Sequence, residues 1–157
     1  MENSVKELYG NRVRVRTCGI CIIGDRLVMV NHRGLVDGDF WAPPGGGVEF
    51  GEDVASGLAR EFSEETGLQV DIGPFLFACE LVKPPLHAIE LFFHVIHKGG
   101  EITVGKDPES GEKQIIKAVE MLTSNDIRQL GPAHVHGILA RYPDISRITA
   151  LRGYFKL

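Results

Sequence analysis

Four charged residues near the middle of the chain have the types and spacing needed to hold a divalent metal ion. Arg60 is followed by Glu61, Glu64 and Glu65, and on an α-helix, at about 100° per residue, these four side chains occupy one arc of roughly 140°. Each pair of acids three or four residues apart, and each acid near a helix C-terminus, costs a few tenths of a kcal/mol. A hard cation such as Mg²⁺ takes oxygen ligands and would remove that repulsion. The cluster therefore indicates a metal site, with a solvated helix face as the alternative.

The residues around this cluster predict the helix that carries it. Apolar residues recur at spacings of three and four and form one face, namely Ala55, Leu58, Ala59 and Phe62. Asp53 or the neighbouring Glu52 suits the first turn, and Gly67 stands where a C-terminal cap belongs. We expect a helix over Asp53–Thr66 that buries its apolar face and presents its acidic face to solvent.

A glycine-rich turn precedes the helix. Pro43 and Pro44 are followed by three glycines, Gly45–Gly47, and this composition forbids regular helix and allows close approach of the backbone to a ligand. Backbone carbonyls in such a turn can serve a metal, and backbone N–H groups can serve a phosphate. The turn and the acidic helix together predict metal-assisted phosphate chemistry.

The rest of the chain reads mainly as strands. A β-hairpin is predicted from the runs Arg12–Ile23 and Leu27–Val30. After the acidic helix, strands are predicted at Leu68–Ile72, Phe75–Leu81, Ala88–His97, Ile102–Val104 and Ile115–Leu122, with a short helix from Ser124 and another over Val135–Arg141. This pattern predicts a mixed α/β or α+β layer structure. Because the sequence shows no repeat and no linker, we expect one domain over residues 1–157.

Composition limits the kinds of partner. The 157 residues carry 17 basic and 21 acidic side chains, a net charge of -4 and a pI near 5.9. Without a basic field, a nucleic-acid partner is not expected. No apolar run approaches the roughly 20 residues that span a bilayer, and the first residues lack the pattern of a secretory signal. We therefore expect a cytoplasmic protein without membrane association.

The cysteines and histidines do not form a metal motif in the sequence. Cys18, Cys21 and Cys79 are an odd number, which favours reduced thiols. If Cys18 and Cys21 lie on a strand, their three-residue spacing directs them to opposite faces. A zinc site could be imagined from four histidines, His94, His97, His134 and His136. They lack an acid or cysteine partner at ligand spacing, so core or surface roles are favoured.

From Gly46 onward the chain resembles the Nudix box, G-x5-E-x7-R-E-U-x-E-E-x-G-U, in which U is apolar. Every defined position is filled across the 23 residues from Gly46 to Leu68, with Gly57 an unusual residue inside the helix. The resemblance implies a Nudix-type α/β/α sandwich with a mixed β-sheet. It also implies a hydrolase that cleaves the diphosphate linkage of a nucleoside diphosphate joined to another moiety, with Mg²⁺ or Mn²⁺ as cofactor.

Carried over by position, the resemblance assigns the metal site. Glu61, Glu64 and Glu65 would be metal ligands, with Glu61 also a candidate base, and the carbonyl of Gly45 or Gly46 would complete the site. Arg60 would be the partner of Glu52 in a pair that orients the cluster.

Many relatives supply a fourth carboxylate from a later loop, where this sequence offers Glu109, Glu112 and Glu120. Glu112 is the preferred candidate because it follows Gly111 on a predicted loop free to swing toward the metal, whereas Glu120 lies in a predicted strand.

The substrate stays open at the level of sequence. Nucleoside triphosphates, ADP-ribose, dinucleotides and nucleotide sugars all present the same diphosphate to the box, and selectivity comes from side chains outside it. His32 and Arg33 are candidate substrate contacts, and Trp41, Phe77 and Glu80 are further candidates, although both aromatic residues suit a core equally well. A homodimer is left open. The alternative function is a nucleotide-binding sensor that has kept the fold and lost the chemistry.

Overall fold

A computed structural model describes residues 3–103 and 116–157. The helices are α1 (Asn3–Tyr9), α2 (Val54–Thr66), α3 (Ser124–Leu130), α4 (Gly137–Arg141) and α5 (Ile145–Ile148). The strands are β1 (Arg12–Ile23), β2 (Arg26–His32), β3 (Trp41–Ala42), β4 (Gly45–Gly47), β5 (Gln69–Lys83), β6 (Leu86–Gly99), β7 (Ile116–Leu122) and β8 (Gly153–Lys156).

The strands of this part of the chain form one mixed sheet. Its main order is β3-β2-β1-β6-β5-β8, with β4 paired to β1 and β7 paired to β2. Strand β1 is antiparallel to β2 and β4 but parallel to β6, and β5 is parallel to β8. The predicted hairpin of β1 and β2 is therefore confirmed.

Helices cover both faces of the sheet. On one face, Leu58 and Phe62 of α2 pack into a cluster that includes Cys21. On the other face, helices α3 to α5 supply apolar side chains to a second cluster that includes Cys18. This layering is the α/β/α sandwich that the sequence predicts. The predicted divergence of Cys18 and Cys21 is confirmed, and both thiols, like Cys79, are free and buried.

Local signals fix α2 at both ends. The Asp53 carboxylate accepts a hydrogen bond from the Ser56 backbone N–H at 2.9 Å, and Gly67 adopts a left-handed φ of 77° while its N–H donates to the Ser63 carbonyl. Gly19 of β1 lets the helix lie close to the sheet, because a Cβ there would lie 2.4 Å from the Phe62 ring. The predicted helix is confirmed, and its apolar face rests directly on β1.

Other predicted boundaries need correction. The chain from Gln69 to Lys83 is one strand with shifts of register around Gly73 and Pro74, not two strands. The strand predicted at Ile102–Val104 is wrong for Ile102 and Thr103, which lie outside any strand, and Val104 lies outside the described residues. The strand β7 and the helix starting at Ser124 are confirmed, whereas α4 begins two residues later than predicted.

Five elements were not predicted, namely α1, β3, β4, α5 and β8. None of the helices in residues 3–103 and 116–157 has the length and apolar character needed to cross a membrane.

Candidate active site

Arg60 is the centre of a network of carboxylates on α2. Its Nε and Nη2 donate to the two oxygens of Glu52, each at 2.9 Å. Its Nη1 donates to Glu61 Oε1 at 3.2 Å and to Glu64 Oε2 at 3.0 Å. The hydrogen bonds from Arg60 lower the pKa of Glu52, and those to Glu52 raise the pKa of Arg60. Both groups are therefore charged, and the guanidinium fixes three carboxylates relative to one another.

Gly57 makes room for this network. A Cβ at position 57 would lie 2.7 Å from Glu52 Oε1, so a side chain there would push the Glu52 carboxylate away from Arg60. The glycine costs the helix about 1 kcal/mol relative to alanine. Its presence inside α2 is explained by the carboxylate that lies across it.

Two of the three glutamates on α2 are buried, which corrects the prediction of a solvent-facing acidic surface. Glu61 and Glu65 are each 4% exposed, because β4 covers this arc of the helix. The Gly45 N–H donates to Glu65 Oε1 at 3.0 Å, and Glu61 lies against Gly46, where a Cβ would be 2.4 Å from its Cδ and Oε1. Only Glu64 has a substantially accessible side chain, at 32%.

The donor set fits a hard divalent cation. Glu61 and Glu64 already converge on one positively charged atom, Arg60 Nη1, and the oxygens available there are the ligands that Mg²⁺ and Mn²⁺ prefer. Glu65 is directed instead to the backbone of β4. Within residues 3–103 and 116–157, no group of three or more His, Cys, Asp or Glu side chains is arranged to hold a metal ion. The structure thus brings Glu61 and Glu64 together, and the ligand roles of Glu61, Glu64 and Glu65 stay predictions.

The histidines considered for zinc have separate partners. His134 Nδ1 lies 2.7 Å from the Asp39 carbonyl, whereas His136 Nε2 lies 2.7 Å from Glu90 Oε1. The two side chains are therefore committed to different parts of the molecule.

A cavity of about 460 Å³ is lined by Gly45, Gly46, Glu61 and Glu65. The same cavity is lined by Arg16 and Glu90 of the sheet, by Val5 and Tyr9 of α1, and by Leu157. Its size is in the range of pockets that hold small ligands. Glu61 of the Arg60 network therefore lines a space that can take a nucleotide-sized molecule.

The predicted substrate residues take different positions. His32 is half-buried and lines the cavity, where burial and then the charge of Arg16 lower its pKa to about 3. Arg33 is exposed and is not among the residues that line the cavity. Trp41 and Phe77 lie in the core. Glu80 accepts a hydrogen bond from the Tyr154 hydroxyl at 2.5 Å. The substrate roles of these residues stay predictions.

The described residues do not test the prediction that Glu112 supplies a fourth carboxylate. Glu109 and Glu112 lie outside the described residues. Glu120 is exposed on β7, opposite Met29 of β2. The choice of Glu112 therefore stays a prediction.

The sequence did not reveal a second charged cluster at the cavity wall. Glu90 is 3% exposed and accepts hydrogen bonds from Arg16 Nη1 at 2.5 Å and from His136 Nε2 at 2.7 Å. Burial opposes ionisation of Glu90, but His136 and Arg16 outweigh it and hold the pKa at about 2. One signal was present in the sequence, because Glu90 is an acid inside an otherwise apolar strand, Ile89–Phe93.

Comparison with known proteins decides the family. A family model described as the NUDIX domain matches residues 13–141, most of the chain. The chain belongs to the Nudix family. The segments outside this match include α1 and Leu157, which contribute to the lining of the cavity.

The curated relatives of this Nudix chain include enzymes with different substrates in their names. It is 30% identical over 96 residues to an ADP-ribose pyrophosphatase of Methanocaldococcus jannaschii, covering 60% of this chain and 57% of that protein. It is 31% identical over 90 residues to the nucleoside triphosphatase NudI of Escherichia coli O139:H28, covering 50% of this chain and 63% of that protein. The matches thus span 57% and 63% of these two relatives.

Solved Nudix structures share the fold. A MutT NUDIX hydrolase from Burkholderia pseudomallei superimposes with a TM-score of 0.68 at 18% identity, covering 88% of this chain and 99% of that chain. The E. coli ORF135 protein gives a TM-score of 0.65 at 16% identity, covering 88% and 90%. At these identities the likeness shows the fold alone, and it agrees with the sandwich described above.

Proposed function

We propose that this chain is a metal-dependent Nudix hydrolase that cleaves the diphosphate linkage of a nucleoside diphosphate joined to another moiety. The observation that carries the proposal is the Arg60-centred carboxylate network, whose member Glu61 lines a cavity of about 460 Å³ together with Glu65. A diphosphate and a carboxylate face repel each other, so the pairing requires a bridging cation. The oxygen donors at this position are suited to Mg²⁺ or Mn²⁺.

Glu61, Glu64 and a carbonyl of Gly45 or Gly46 would hold the metal, with Glu65 as a further ligand. When bound, such a metal stabilises the charge that develops on the diphosphate and lowers the pKa of water.

The protein's own contribution is orientation. The bidentate contact between Arg60 and Glu52 holds the guanidinium in place, and its Nη1 then sets the directions of the Glu61 and Glu64 carboxylates. Losing such an orienting partner typically weakens metal affinity or activity by about 10- to 100-fold. The contact between Glu65 and the Gly45 N–H ties β4 to α2, so the glycine backbone keeps its position beside the cluster.

Two carboxylates are candidates for the group that takes a proton from the attacking water. Glu61 lies buried between α2 and β4 and lines the cavity, so a water in the cavity can reach it. Glu112 is the candidate from the later loop. A base of this kind contributes about 100- to 10,000-fold to the rate.

The names of the relatives select the first substrates to test. ADP-ribose and nucleoside triphosphates come first, because they are the substrates named for the two relatives described above. The cavity provides room for the nucleoside or the second moiety, with His32 on its wall and Arg33 as a further contact. We therefore propose a small-molecule substrate and no nucleic-acid partner. We also propose that the protein is cytoplasmic, and a homodimer is compatible with this function.

A hydrolysis screen tests the proposal. Purified protein with Mg²⁺ or Mn²⁺ is incubated with nucleoside triphosphates, ADP-ribose, dinucleotides and nucleotide sugars, and release of phosphate, pyrophosphate or nucleoside monophosphate is measured. The Glu64→Gln variant should lose at least about 100-fold in kcat with an unchanged melting curve in the absence of metal. Glu101→Gln, at an exposed acid that is not part of the Arg60 network, is the matched control and should behave as wild type.

Two results would contradict the proposal. Activity of Glu64→Gln within about tenfold of wild type would remove the carboxylate network from the mechanism. Tight binding of a nucleotide with no hydrolysis of any compound in the panel would favour the sensor function instead.

A further inference from the structure

A partly buried ion pair, with Glu90 inside and Arg16 facing the cavity, lies on the cavity wall together with box residues. Arg16 Nη1 donates to Glu90 Oε2 at 2.5 Å, and His136 Nε2 lies 2.7 Å from Glu90 Oε1. The free energy needed to remove two charges from water is about as large as the free energy gained from their attraction. An ion pair of this kind is therefore weak evidence for a stabilising role. The cluster therefore calls for a functional explanation.

The histidine fixes the direction of the carboxylate. The Ile138 backbone N–H donates to His136 Nδ1 at 3.2 Å, so the ring carries its proton on Nε2 and donates that proton to Glu90. Both oxygens of Glu90 are then engaged, one by His136 and the other by Arg16. The carboxylate is held from two sides and has little freedom to rotate.

The carboxylate in turn fixes Arg16. Arg16 lies opposite Gly47 of β4 and directly beside Glu90 of β6, and its side chain is 22% exposed and lines the cavity. A guanidinium carries five N–H donors in a planar fork. With Nη1 directed to Glu90, other donors of the fork are available to a ligand in the cavity.

The position of Arg16 indicates the chemistry of that ligand. Arg16 is a cation that lines the same cavity as Glu61 and Glu65. A fixed guanidinium is well suited to the oxygens of a phosphate, with which it forms charge-assisted, often bidentate hydrogen bonds. Arg14 lies two residues earlier on the same face of β1, but its guanidinium stacks on the Tyr9 ring at 4.1 Å.

We propose that Arg16 binds a phosphate group of the substrate and that Glu90 and His136 are positioning residues that hold its guanidinium for this contact. The proposal deepens the proposed function and rests on it, because it concerns the same cavity. In this arrangement the diphosphate would lie between the carboxylate network with its cation and the guanidinium of Arg16.

Binding and kinetics of three variants test this proposal. Affinity for inorganic pyrophosphate is measured by calorimetry at millimolar Mg²⁺, and kcat and KM are measured with the best substrate of the panel. Arg16→Gln should weaken pyrophosphate binding and raise KM by about 10- to 100-fold with kcat within about threefold. Glu90→Gln should change the same two quantities in the same direction by about three- to tenfold, because the guanidinium is still present but less firmly held. Arg12→Gln, on the same strand and exposed, is the matched control.

Two further variants separate a binding role from a loss of structure. In Arg16→Gln the Glu90 carboxylate is left buried without its cation, which lowers stability. The double variant Arg16→Gln with Glu90→Gln removes both charges and should recover part of the melting temperature while pyrophosphate affinity stays low. Arg16→Lys keeps the charge without the planar fork and should bind pyrophosphate with intermediate affinity.

The outcomes distinguish this proposal from the proposed function. Wild-type affinity and KM in folded Arg16→Gln, or wild-type protein that does not bind pyrophosphate, would overturn the role of Arg16 even if the panel shows hydrolysis. If Glu90→Gln lowers kcat and leaves the affinity for pyrophosphate unchanged, the positioning role of Glu90 would be overturned. Loss of pyrophosphate binding in Arg16→Gln, in a protein that hydrolyses nothing in the panel, would support Arg16 while contradicting the proposed function.

Discussion

Gly46→Ala changes the active site by a single methyl group at a defined place. The new Cβ would lie 2.4 Å from Glu61 Cδ and Oε1, whereas ordinary contacts begin at 3.4 Å. Glu61 is buried between α2 and β4, so its carboxylate or the strand must move by about 1 Å, and a misplacement of that size can cost about 100-fold in rate. Crowding of this kind costs about 1–3 kcal/mol, which lowers the melting temperature of a domain of this length by several degrees.

The assay compares kcat and the melting temperature for Gly46→Ala, Gly99→Ala and wild type at saturating Mg²⁺. Gly99 is the control because an added Cβ there meets only the end of the Gln69 side chain, at 3.2 Å. We expect kcat of Gly46→Ala to fall by about 100-fold and that of Gly99→Ala to stay within about twofold. Gly46→Ala with kcat within about threefold of wild type would refute the reasoning, because it would mean that the close contact with Glu61 has no part in the reaction.

Three further predictions concern metal, pH and the later loop. Mg²⁺ or Mn²⁺ at millimolar concentration should raise the melting temperature of metal-free protein, because a cation bound only to the folded state stabilises it; an unchanged curve would argue against a preformed site. The pKa of His32 is about 3 in the folded protein against an ordinary 6.5, so the unfolded chain takes up this proton first and stability falls as the pH drops through that window. Between about pH 7 and pH 5, the melting temperature of His32→Gln should therefore fall less than that of the wild-type protein. Equal falls in melting temperature for the two proteins would contradict the burial of His32. Glu112→Gln should lower kcat by about 100-fold while Glu109→Gln stays nearly silent, and the reverse pattern would show that Glu109 is the fourth carboxylate.

The parts of the structure that follow local rules could be predicted from the sequence. The helix α2 carries a capping acid at Asp53, a left-handed glycine at Gly67 and an apolar period of three to four residues, all of which act within a few residues of each other. The β1–β2 hairpin is likewise encoded by alternation and a short turn. The family of the chain followed from the Nudix box because its residue types and their spacing are all present between Gly46 and Leu68.

The parts that were missed depend on contacts between distant segments. Strand β4 consists of three glycines, which have no β propensity, and it forms because β1 offers a partner at Arg16–Cys18. Glu61 and Glu65 are buried because of that pairing. Helical periodicity carries no information about β4, so it predicted that these side chains face solvent. The contacts of Glu90 join residues 74 and 46 positions apart in the chain, and no local pattern encodes such a meeting.

We propose that the glutamates of α2 bind the divalent cation on which hydrolysis depends. A titration with Mn²⁺, followed by electron paramagnetic resonance of the free ion, measures this binding without reference to a substrate. Wild-type protein should bind Mn²⁺ at a site that Mg²⁺ competes for, and the double variant Glu61→Gln with Glu64→Gln should lose affinity by at least about 100-fold. Equal Mn²⁺ affinity in the wild-type protein and the folded double variant would contradict the account.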